Sequence, residues 1–138
     1  NIEKILKDQS ELFEQISKNK SSDSRVLEMV KIAANEIIGM ENNLNAVGEK
    51  DPLRRRMERY IKNIREKYKT IGYEISKLLG TEIEEGINIE MNDDIEKRDD
   101  LPNGKLIVVR VLRPQILKDE KLIQLGKVEV VKGTNTNI

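Results

Sequence analysis

The sequence predicts an α+β protein in which a long helical region, dimerising as a coiled coil or four-helix bundle, precedes a small C-terminal all-β domain. Over roughly the first 80 residues apolar side chains recur at steps of three and four, the helical period. In the last quarter the spacing switches to strand-like apolar runs, as in Leu106-Ile-Val-Val-Arg-Val-Leu112. Charged residues make up 36% of the 138, aromatics only 3%, with one Phe and no Trp. Such a chain spends its apolar side chains as narrow helix stripes, which need a partner helix to bury them. The expected organisation is a helical stalk and dimerisation bundle over 1–82, a β domain over 83–133 and a frayed tail over 134–138.

Ile2, Ile5, Gln9, Leu12 and Ile16, widened by Leu6 and Phe13, mark a first helix. The polar stretch from Ser17 to Ser24 supplies N-cap candidates and is either a break or the exposed part of one longer helix. A second helix fits Arg25 to Val47, with Ile37, Met40, Leu44 and Val47 on one face and Gly48 as its stop. A third opens at Asp51, which can cap free amides, and Pro52, whose missing N–H is harmless at the first helical position. Met57, Ile61, Ile64, Tyr68, Ile71, Ile75 and Leu78 then form a seam of about 40 Å ending at Gly80. Two such helices joined by Gly48 to Asp51 are expected to pack antiparallel. The dimerisation residues expected on this basis are Ile37, Met40, Leu44, Met57, Ile61, Ile64, Tyr68 and Ile71.

Beyond Gly80, Ile87 to Met91 reads as a short alternating strand and Asn92 to Asp100 as an acidic run. Pro102-Asn-Gly104 is a turn signal leading into the strand Leu106–Leu112, which Pro114 ends for want of a ladder donor. Ile116-Leu117 and Leu122 to Leu125 carry lesser strand signals, and Lys127 to Val131 closes the module.

The residue inventory leaves little for catalysis. There is no His to serve as general base or metal ligand and no Cys nucleophile, so neither catalytic residues nor a cofactor are expected. Gly80 to Gly86 has the wrong spacing for a phosphate loop. Asp93-Asp94 and Asp99-Asp100 read as hydrated turns, because no Gly-centred loop surrounds them, and no metal is expected. The absence of Cys suits a reducing compartment, and no run spans a bilayer or forms a signal peptide, which together predict a cytoplasmic protein without a membrane partner.

From Val108 to Gly133 the sequence resembles the C-terminal module of GrpE proteins, the nucleotide-exchange factors of DnaK-type chaperones, which run roughly V-V-x-V-L-x-x-G-Y-x-L-x-D-R-V-L-R-P-A-x-V-x-V-x-K-G. Glu120-Lys121 stands at the family's Asp-Arg, Leu122-Ile123 at Val-Leu, and Val128-x-Val130-x-Lys132 matches directly. Glu96 to Gly104 is similar to the family's turn before the module, and Leu79-Gly80-Thr-Glu82-Ile83 to its helix exit. The Gly-aromatic pair is Gln115-Ile116 here, and Gln124-Leu125-Gly126 replaces Arg-Pro-Ala. The resemblance implies a homodimeric co-chaperone that binds the nucleotide-binding domain of a DnaK-type chaperone and promotes ADP release. It also implies that Glu120, Lys121 and Val130 meet the partner. The alternative is a helical homodimeric adaptor whose β module docks another protein without exchange activity.

Charge is unevenly placed along a chain of net charge zero. Arg54 to Lys69 holds eight Lys or Arg against two Glu, whereas Glu82 to Asp100 holds nine Asp or Glu against two bases. Arg55, Arg59, Lys62, Arg65 and Lys69 are expected to point away from the apolar seam as a solvated face or as a patch for an acidic partner. Nucleic acid is the weaker reading, because one Phe and three Tyr leave few rings for stacking.

Overall fold

Helices precede strands in the computed structural model, which describes residues 2–8, 20–84 and 86–138. The chain divides into two units, Asn1–Ala33 and Ala34–Ile138. Within the first, residues 2–8 are helical (α1), and their side chains are exposed. The rest of the predicted stripe, Gln9, Leu12, Phe13 and Ile16, lies outside the described residues. Helix α2 spans Lys20–Asn43 and runs from the first unit into the second, so the polar residues 21–24 lie inside a helix. A 3-10 turn, Leu44–Ala46, follows, and α3 occupies Pro52–Thr70. The predicted N-terminus of α3 is present: the Leu53 N–H donates to Asp51 Oδ1 at 2.9 Å, with Pro52 at the first position.

The long coiled coil and four-helix bundle are not found among the described residues. Helix α3 stops at Thr70, ten residues before the Gly80 that the seam predicts. Gly72 accommodates this early end. Its φ of +88° is accessible to glycine at little cost, and the Gly72 N–H donates back to the Lys69 carbonyl at 3.0 Å. Chain expected to continue the helix becomes β1 (Tyr73–Ile75), in which Tyr73 and Ile75 are buried and Glu74 is exposed. Ile71, Ile75 and Leu78 fit a helical stripe, but Tyr73 and Ile75 equally fit a strand, and the latter pattern wins once Gly72 has turned the chain.

The remaining strands are β2 (Glu82–Ile83), β3 (Glu90–Met91), β4 (Glu96–Pro102), β5 (Leu106–Arg113), β6 (Ile116–Lys118), β7 (Lys121–Gln124) and β8 (Lys127–Asn135). A three-stranded sheet has the order β1-β6-β7, all antiparallel. The larger sheet is centred on β8, which pairs antiparallel with β5 and, on its other side, parallel with β3 and β4; β2 flanks β5. Two expectations change here. The second half of the acidic run is strand β4, and β8 extends to Asn135, into the supposed tail. Strand β4 carries its charges because it is an edge strand with largely exposed side chains, where charge also discourages further pairing. Gly133 permits its approach, since a Cβ there would lie 1.9 Å from the Pro102 carbonyl oxygen.

The core lies between α2 and the larger sheet, with Ile38, Ile83, Val108, Val111, Val128 and Val130 buried together. Val108 and Val111 are three residues apart, yet both face inward because the β5–β8 register shifts between Val108 and Arg110. Among the described residues, no helix is long and apolar enough to cross a membrane.

Candidate functional site

Two surfaces gather the charged residues that the sequence singles out. The first is the β6–β7 hairpin. Lys118 pairs with Lys121, so the turn has two central residues, Asp119 and Glu120, with φ of 48° and 69°. Positive φ at both positions is the type I′ arrangement, which favours Asn and Gly and is strained for Glu. Glu120 and Lys121 are exposed at this tip. The turn is held against the chain just after α3: the Asp119 N–H donates to the Gly72 carbonyl at 2.9 Å, and Lys118 Nζ sits 5.2 Å from the centre of the Tyr73 ring. Val130, by contrast, is only 1% exposed and packs in the core. In this conformation it supports the sheet and presents no surface to a partner.

The second surface is a groove of about 950 Å³ bounded by the end of α2, by α3 and by the β1–β2 connection with β5. Arg54, Arg55, Arg59, Lys62, Arg65 and Lys77 line it, against two carboxylates, Glu41 and Glu58. Its apolar lining includes Leu44, Ile61, Leu79 and Val109. Two of the cations are committed internally. Arg54 Nε donates to Glu58 at 3.2 Å, and its Nη1 donates to the Val47 carbonyl at 3.1 Å.

Arg65, the other, departs from its expected outward position. Its two terminal nitrogens donate to the Glu41 carboxylate at 2.7 and 2.5 Å, while Nε donates to the Ile75 carbonyl at 2.9 Å. One guanidinium therefore ties α2, α3 and β1 together, a role suited to its planar fork. Glu41 is the one buried charged residue among the described residues, and its immediate neighbours in sequence do not mark it off from a surface glutamate. Its step of four from Ile37, on the buried face of α2, is the one signal that could have found it. Arg55, Arg59, Lys62 and Lys77 remain exposed and have no carboxylate partner among the described residues. Lys77 lies outside the basic helix face that the sequence predicts, and the turn at Gly72 brings it back to the groove.

The expected dimerisation residues scatter across environments. Ile37, Leu44 and Ile61 are buried within the chain, and Met40, Met57, Ile64 and Tyr68 are half-buried. Ile71 is 57% exposed beside the turn at Gly72. No protein-family model matches the chain, and no curated protein is significantly similar to it.

Proposed function

We propose that this chain is a GrpE-like co-chaperone that binds the nucleotide-binding domain of a DnaK-type chaperone and promotes ADP release. The observation that carries this is the β6–β7 hairpin. Its exposed Glu120 and Lys121 occupy the positions that the resemblance gives to the partner contact, on a turn anchored to α3 through Asp119 and Gly72. An exchange factor must bind the open chaperone more tightly than the closed one, because only that difference accelerates release. A two-residue turn on a fixed root suits such binding, since a loop already held in one conformation loses little entropy on docking. Lys121 offers a point charge where a bidentate Arg would offer a fork, so its single contact is the weaker kind. Homodimerisation is supported by Met29 and Ile32, which are 69% and 64% exposed on α2.

The test is stopped-flow release of a fluorescent ADP analogue from a DnaK-type chaperone of the same source. Release should accelerate with protein concentration, and Lys121→Ala should lose about tenfold of that effect, as expected for one charge-assisted contact. No acceleration at saturating protein removes the exchange role.

One observation favours a second reading, an adaptor whose hairpin docks another protein without exchange. Helix α3, with 19 residues, spans about 29 Å and not the longer arm that the seam implied. Affinity capture from native lysate separates the two: the chaperone should be retained and should leave on ATP addition only if exchange is the function.

A further inference from the structure

The groove on α3 is separate from the hairpin, and its unpaired cations have a regular arrangement. Arg55, Arg59 and Lys62 stand at i, i+4 and i+7, hence on one face of α3, and Lys77 joins them from the β1–β2 connection. The rise of about 6 Å from Arg55 to Arg59 is close to the roughly 6.8 Å that separates alternate side chains of an extended peptide. Leu44, Ile61, Leu79 and Val109 line the same cavity, so an occupant meets apolar surface as well as cations. The geometry points to a binding groove for an acidic peptide segment of a partner protein, with Asp or Glu at alternate positions and Leu or Ile between them.

Charge complementarity selects the sign of the occupant, because the four cations form no ion pair among the described residues and the two lining carboxylates, Glu58 and Glu41, are held by Arg54 and Arg65. The apolar lining selects peptide over nucleic acid. No aromatic side chain among the described residues borders the groove, so it offers no ring on which successive bases stack. Arg54 and Arg65 serve as walls, since Glu58 and Glu41 already hold their charges. Binding through exposed pairs is weak per contact and salt-sensitive, so three or four must act together.

The experiment is fluorescence anisotropy of the full chain with a fluorescein-labelled dodecapeptide, Asp-Leu-Glu-Ile three times in tandem, alongside a 12-nucleotide single strand and a peptide with Ser for Leu and Ile. The acidic apolar peptide should bind most tightly. Arg55→Glu/Lys62→Glu should weaken it at least about tenfold, while Lys127→Glu, on the sheet away from the groove, leaves it within about twofold. Thermal unfolding followed by circular dichroism establishes that each variant is folded. Arg55→Gln/Lys62→Gln serves as the milder pair if charge reversal unfolds the chain. Equal binding by either folded groove variant overturns the proposal, as does tighter binding of the oligonucleotide or of the Ser-substituted peptide. ADP release does not enter these measurements, so their failure and that of the exchange reading are distinguishable.

Discussion

Arg65 and Glu41 show how much one buried pair can hold. With side chains 14% and 6% exposed, they join three elements through hydrogen bonds of 2.5, 2.7 and 2.9 Å, two to the carboxylate and one to the Ile75 carbonyl. Removing one partner strands the other charge, so Glu41→Ala should cost about 3 kcal/mol in urea unfolding. The Glu41→Met/Arg65→Met pair should cost less than the sum of its single changes, because both charges leave together. Asp100 supplies a pH marker on the exposed edge. The hydrogen bond from Arg98 holds its carboxyl below the ordinary value of 3.8. The folded value is thus the lower one: the stabilising contribution is present above 3.8 and disappears as pH falls through the depressed folded value. Carboxyl NMR titration should place the Asp100 midpoint below 3.8 and return it toward that value in Arg98→Gln.

Among the elements, the apolar join between α2 and the larger sheet is supplemented by one amide. Asn42 Nδ2 donates to the Val111 carbonyl at 2.8 Å, and the Val111 N–H donates to Asn42 Oδ1 at 3.1 Å. Strand β2 pairs only with Leu106 and Ile107, so Asn42 supplies a ladder partner beyond its end. Asn42→Ala removes both bonds beside the core and should cost about 2 kcal/mol in urea unfolding, moving the midpoint at an unchanged slope. Asn92 acts similarly on β8, accepting from the Val130 N–H at 2.9 Å. Neither asparagine stands out from its neighbours in sequence, because an Asn on a helix or in a turn usually reads as a polar surface residue.

Across the fold, β8 is the organising strand, with neighbours on both sides and the buried residues Val128, Val130 and Val131. Its amides and those of β5 should exchange slowest with deuterium, and residues 2–8, whose side chains are all exposed, should exchange fastest. Equal protection across these segments in hydrogen-exchange mass spectrometry contradicts a core centred on the sheet.

Local signals alone specify the order of helices before strands, the Asp51-Pro52 helix start, the turn at Gly104 and the strands at Leu106 and Lys127, because caps, turns and apolar periodicity act between near neighbours. Long-range contacts were needed to fix the end of α3, the bulge that turns Val108 and Val111 inward, the charged strand β4 and the burial of Glu41 with Arg65. Each depends on a partner distant in the chain: Asp119 against Gly72, β8 against β5 and β4, and α3 against α2. A stripe spaced by three and four records which residues are apolar, whereas the neighbour that covers them is fixed only when the chain folds back on itself.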